Sequence, residues 1–200
     1  MAWRPILLTA LVAAGLWQGY TNWQLRPVHP VDGPMAPDEP EQHDVEAAPV
    51  TVLGRWRLTP QARYEITARI LSREDYHIDP LSDLIPEDLA LGWGPMSDNR
   101  VLQGLEITQG ARFYSWRPRH SLPIPREAII EHSANTHVIP ASAAVAGQLR
   151  RLRVGQVVHL SGYLVNGVRD DGAYIHTSLT RSDSGPGSCE VMLVEQVENR

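Results

Sequence analysis

Cys189 is the single cysteine of this 200-residue chain. A thiol becomes a nucleophile when a neighbouring base takes its proton. His132 and His137 are the imidazoles a fold could bring to it. Between them lies Asn135, which could orient a base or donate to a ligand. Cys189 activated by His137 would serve hydrolysis or acyl transfer. Against that chemistry, Cys189 is in phase with Val191 and Leu193, which puts it on the apolar face of a strand, where cysteine behaves as a small hydrophobe. Ser133 is a weaker nucleophile candidate still, because no G-x-S-x-G elbow surrounds it.

Metal chemistry would draw on His132, His137, His159, His176, Asp98 and Cys189. No H-E-x-x-H or paired-cysteine spacing is present, and His132 and His137, five apart, do not share a helix face. His159 and His176 fit adjacent strands of one hairpin, so no metal is expected. The run Asp183-Ser184-Gly185-Pro186-Gly187-Ser188 has neither a lysine nor a following helix, and phosphate binding is not expected there. No cofactor is implied.

A non-catalytic site has its own residues. Gly92–Asp98 and Ser133–Pro140 read as irregular segments, which are uncommon inside a compact domain unless functional. Trp93, Met96, Val138 and Ile139 should pin both to the sheet. Asp98, Asn135 and His137 would then face a shared cleft with Trp93 as a wall, and Asp98 would fix the imidazole of His137. These four are the candidate ligand-binding residues, although Asn and Asp also commonly satisfy loop backbone groups.

The elements that must position them read as follows. Val52–Leu58 and Tyr64–Leu71 alternate as strands, with Thr59-Pro60 as a turn between them. Pro86 to Leu91 reads as a short helix with Glu87 and Asp88 in its first turn. Arg112–Arg117 reads as a strand buried on both sides. Short helices follow at 126–132 and after Ser142, an N-cap. Gln156–Val165, Tyr174–Thr180 and Cys189–Val197 close the domain as strands, with Asn166-Gly167 and Asp170-Asp171-Gly172 as turns. The expected class is α+β, a small curved antiparallel sheet or partly open barrel with two short helices, similar to the oligonucleotide/oligosaccharide-binding fold.

Ahead of this domain (50–200) stand two other segments. Residues 1–24 hold the uncharged run Ile6–Trp17, extendable from Pro5 to Trp23, with Trp3, Trp17, Tyr20 and Trp23 placed as an aromatic belt. A transmembrane helix is expected there, with Arg4 cytoplasmic and the domain outside an inner membrane. The cleaved signal peptide it competes with lacks a well-placed cleavage site. Residues 25–49 carry six prolines and six acids, including Asp32, and read as a disordered linker in which His29 and His43 are solvated.

Charge narrows the partners. The formal net charge is −5, but the domain from Thr51 on is nearly balanced, and every basic residue is arginine. Nucleic-acid binding gets no support from bulk charge. A lone cysteine excludes an intramolecular disulfide.

Gly92-Trp93-Gly94-Pro95-Met96-Ser97-Asp98 and Ser133-Ala134-Asn135-Thr136-His137-Val138-Ile139-Pro140, with Ser178-Leu179-Thr180-Arg181 and Gly187-Ser188-Cys189-Glu190, resemble an uncharacterised family of bacterial proteins with one N-terminal anchor. The resemblance spans roughly Trp56 to Val197 and implies an architecture, not an activity. The expected function is therefore an anchored extracytoplasmic binding or assembly domain, with membrane and an envelope protein as partners and no catalysis of its own. A hydrolase using His137 with Cys189 or a metal is the alternative, and an oligonucleotide-binding module the third.

Overall fold

The computed structural model describes residues 3–28, 32–183, 185 and 187–200. His29, Ser184 and Pro186 lie outside the described residues, as does the side chain of Arg4. The order of elements is α1 (Trp3–Gln24), β1 (Glu41–Asp44), β2 (Thr51–Leu53), β3 (Trp56–Asp75), β4 (Glu87–Gly92), α2 (Asn99–Gln103), β5 (Leu105–Gly110), β6 (Phe113–Pro118), α3 (Arg126–Glu131), β7 (Ser133–Pro140), α4 (Ala143–Leu149), β8 (Val157–Arg169), β9 (Tyr174–Ile175) and β10 (Glu190–Asn199). The class is α+β and strand-rich.

Strands β3, β4, β7, β10 and β8 hydrogen-bond in that order, and β8 pairs with β3 to close the ring. Closure removes the two free edges an open sheet would present. All neighbours are antiparallel except β7 and β10, which run parallel, so the wholly antiparallel sheet expected from the sequence is not what forms. The interior is filled from one face of each strand: Tyr64, Ile66, Ala68 and Ile70 of β3, Leu89 and Leu91 of β4, Val138 of β7, and Leu160 and Leu164 of β8. Val145 and Leu149 of α4 close one end. Ser142 caps α4 by accepting from the Val145 amide at 3.2 Å, as its position in the sequence predicts.

Several local expectations give way to this ring. Thr59-Pro60 is no turn: β3 runs through it for 20 residues and absorbs the proline as a bulge between Pro60 and Ala62. Residues 87–92 form a strand, not a helix, and every residue of it is buried. Helix-start signals there lose to burial, because Glu87 and Asp88 find cations on opposite faces of the strand. Ser133–Pro140 is likewise a strand and not an irregular segment; β7 pairs with β4 on one side and β10 on the other. Asn166-Gly167 continues β8, and the chain turns at 170–172. β5 and β6 form a separate hairpin inserted between β4 and β7. The aromatic strand β6 is half-exposed on it, not buried on both sides.

The linker expectation holds least well of all. Its segment 32–44 lies along the domain: β1 pairs with β3, Ala36 is fully buried, and the amides of Met35 and Ala36 donate to Ser97 Oγ at 3.0 and 3.1 Å. Pro34, Pro37 and Pro40 limit what this segment can do as a helix, but they do not stop it from pairing where the amides are free. α1 forms over 22 residues with its large apolar side chains exposed. Among the described residues no helix is long and apolar enough to cross a membrane. The length suffices; Thr9, Gly15, Gln18, Gly19, Thr21 and Asn22 dilute the apolar content.

Candidate functional site

A cleft of about 350 Å³ opens where the β5–β6 hairpin and the loop before β10 meet the ends of β4 and β7. Trp93, Tyr114 and Trp116 form aromatic walls, and Asn135, Cys189 and Glu190 line it. Cys189 is partly exposed to it and not sealed among Val191 and Leu193, so the inert-hydrophobe expectation fails. It sits just outside β10, one residue before pairing with β7 begins, where the strand phase no longer decides which way a side chain faces.

His137 lies behind the thiol. Two-residue alternation on β7 sends Asn135 and His137 to one face and Thr136 and Val138 to the other. Asp88 is the register partner of His137 on β4 and is fully buried. Its Oδ1 accepts from His137 Nδ1 at 2.8 Å. That leaves Nε2 free of Asp88, and the Cys189 side chain is near enough to the imidazole to act on its charge. Burial pulls the imidazole pKa down, but the bond to Asp88 and the nearby Cys189 side chain outweigh it and hold His137 up at about 9. The ring is therefore cationic at neutral pH.

Arg112 completes the chain of charges. Its guanidinium donates to the same Asp88 Oδ1 at 3.0 Å, to Asp79 at 2.7 Å and to the Ile85 carbonyl at 2.9 Å, and stacks over Tyr76 at 3.7 Å. Asp79, Arg112, Asp88 and His137 thus alternate in sign, two acids against two cations. Ala111 and Arg112 form the hairpin tip with φ of 49° and 68°, a left-handed conformation that costs side-chain-bearing residues energy. What that conformation achieves is visible: the Arg112 carbonyl accepts from Asn135 Nδ2 at 3.1 Å and faces Cys189 Sγ at 4.0 Å. Asn135 Nδ2 also donates toward Sγ at 3.5 Å, while its Oδ1 accepts from Gln109 Nε2 at 2.8 Å.

Of the four predicted site residues, Trp93 and Asn135 line the cleft and His137 stands behind its thiol. Asp98 does not join them. It caps α2, accepting from the Arg100 amide at 2.9 Å, its guanidinium and the Gly33 amide at 3.2 Å. The Arg100 bonds, opposed by burial, hold its carboxyl well below the usual range. The role expected of Asp98, fixing the imidazole, belongs to Asp88. Nothing in the sequence distinguished Asp88 once 86–91 was read as a helix; its place opposite His137 comes from the register of β4 on β7. Arg112 and Glu190 were missed for the same reason, since their roles exist only through pairing across the chain. Met96, Val138 and Ile139 are fully buried, as expected of residues pinning these segments. Gly94 has φ +50° and a β-carbon there would lie 2.7 Å from the His132 ring, so the turn beside Trp93 admits glycine alone. His132 is spent on the Ala128 carbonyl, 2.8 Å away. His159 bonds Thr67, and His176 the Thr177 carbonyl. Among the described residues no group of three or more His, Cys, Asp or Glu is placed to hold a metal ion.

No family model, curated protein or solved structure matches the chain.

Proposed function

We propose that this protein is a thiol-dependent acyl hydrolase or acyltransferase, with Cys189 as nucleophile, His137 as its proton partner and Asp88 as the residue that orients the imidazole. The observation that carries this is the succession Asp88–His137–Cys189, a hydrogen bond from the imidazole to the buried carboxylate and a thiol next to that imidazole at the cleft. An imidazolium beside a sulfur is the arrangement that holds a cysteine as thiolate. The thiolate attacks an acyl carbonyl, forming the carbon–sulfur bond. Asn135 Nδ2, already 3.5 Å from Sγ, donates to the oxyanion that develops. Nε2 of His137 hands its proton to the leaving group as the bond to it breaks. Water then gives a proton back to His137 and adds to the thioester, and the carbon–sulfur bond breaks to release a carboxylic acid and restore the thiolate beside the imidazolium. A binding or assembly domain without catalysis would use the same cleft, and there Asp88 would serve only the ion network with Arg112.

The closed five-stranded ring supports reading the domain as a barrel of the oligonucleotide/oligosaccharide-binding kind. That is a reading of the fold. The near-balanced charge of the domain still gives nucleic acid no support. The exposed apolar side chains of α1 support a membrane-facing role for this helix, even though its apolar content falls short of a spanning segment.

Intact-mass measurement during reaction with a p-nitrophenyl ester tests the proposal. An acyl group should accumulate on the peptide containing Cys189, be absent in Cys189→Ala, and form about 100-fold more slowly in His137→Gln, which keeps a donor for Asp88 but cannot shuttle a proton. No adduct on the wild-type protein, or equal rates in His137→Gln, contradicts it.

A further inference from the structure

Four charged side chains line the cleft beside Cys189, and they are not equally free. Glu190 is 4% exposed, and burial raises its carboxyl to about 8, which leaves it neutral at pH 7. Asp183 accepts the Ser178 hydroxyl at 2.7 Å. Arg181 donates one nitrogen to the Pro40 carbonyl at 2.8 Å, but its Nε is buried with no partner among the described residues. Arg126, at the rim, has its guanidinium 5.2 Å above the Trp116 ring and no carboxylate partner among the described residues. The indole N–H of Trp93, a residue 1% exposed, is also unpartnered. Glu190 Oε2 is unpartnered too, and as the neutral acid it can carry the proton and donate. With His137 cationic behind the thiol, the unmet capacity here is mainly donors and positive charge. Buried unpaired donors are costly, and an acceptor-rich ligand is what satisfies them.

We infer that the cleft takes acyl compounds carrying an anionic group, met by Arg126 and Arg181 while the acyl carbon sits at Cys189. This rests on the reading of Cys189 as nucleophile. The aromatic walls and the volume fit a compound of modest size, since ligand sites start at roughly 300 Å³. Arginine forks suit carboxylate and phosphate alike.

Two alkylating agents of nearly equal size test it on the full chain. Iodoacetate is anionic and iodoacetamide neutral; with either, the Cys189 sulfur forms a bond to carbon and iodide leaves. The ratio of the iodoacetate rate to the iodoacetamide rate should exceed that of a simple thiol, fall as salt is added, and drop about 3–10-fold in Arg126→Gln and in Arg181→Gln. Arg126 is exposed, so its variant tests the inference even if Arg181→Gln does not fold. Glutarate protecting Cys189 better than inorganic phosphate assigns the anion as carboxylate, and the reverse order assigns it as phosphate. A ratio equal to that of a simple thiol and unchanged in Arg126→Gln overturns the anion inference while leaving the nucleophile standing. If neither reagent labels Cys189 faster than a simple thiol, the nucleophile reading fails and the substrate inference falls with it.

Discussion

Arg112 shows how much one side chain can hold at this site. Its guanidinium neutralises Asp79 and Asp88 while its carbonyl anchors Asn135 and faces Cys189, and a left-handed backbone lets both happen at one residue. Arg112→Gln leaves Asp79 without a cation and the fully buried Asp88 with His137 alone, and should cost about 3–5 kcal/mol of stability by chemical denaturation. Arg112→Lys should recover only part of this, because a point charge cannot reach Asp79, Asp88 and the Ile85 carbonyl together as a fork does. An unchanged denaturation midpoint in Arg112→Gln would show the network to be decorative. The sequence made the reactive groups legible: a lone cysteine, two histidines and an asparagine are conspicuous by type. Their partners were not, because Asp88 and Arg112 act across pairings between segments far apart in sequence, and a carboxylate by itself says nothing of which imidazole it will meet.

At the level of elements, the segment 32–44 is the main surprise and the easiest to test. Its proline and acid content reads as a tether, since composition reports on average burial and not on particular amides. Yet Ser97 and Asp98 bind its backbone, the Ala36 carbonyl accepts from Gly94 at 2.7 Å, and the Pro40 carbonyl accepts from Arg181. The strap therefore supports two segments that line the cleft, the turn after β4 and the loop before β10. Removing residues 1–27 should leave the thermal transition in place and release the protein from membranes if α1 is what holds it there. Removing 1–48 should lower the midpoint by about 10 °C, through loss of β1 and these bonds. Equal midpoints for the two truncations would mean that the strap contributes nothing. Strands and helices with their own periodicity, β8, β10, α3 and α4, were legible because local pattern and burial agree. β4 and β7 were not: both carry polar residues on one face, and only the inserted hairpin, which covers that face, makes them read as strands.

The whole molecule carries a pH signature. His137 sits at about 9 and Glu87 and Glu190 at about 8, all above their ordinary values. Burial is the largest influence on each. It raises the two carboxyls, whereas for His137 it is overcome by Asp88 and Cys189. His137 also faces Glu190, which in turn faces Asp183 and Arg181; Glu87 faces Arg73, Asp75, Asp88 and Arg150. A group with a raised folded-state pKa stabilises the fold below its unfolded value and loses that contribution as pH rises through the folded one. The two glutamates lose theirs between about pH 4.5 and 8, and His137 between about 6.5 and 9. Thermal midpoints should therefore fall steadily from pH 6 to pH 9, and Glu190→Gln should flatten the slope. A midpoint that rises over this range would contradict the assignment.

The most direct test of the central claim is the rate at which iodoacetamide alkylates Cys189 as a function of pH. If His137, fixed by Asp88, holds the thiol's proton, the wild-type protein should react at pH 6 at least about ten times faster than a simple thiol, whose thiolate is scarce there. In His137→Gln the reaction should appear only as the pH nears the ordinary thiol range. A wild-type profile that overlays that of a simple thiol, or that His137→Gln leaves unmoved, would contradict the account.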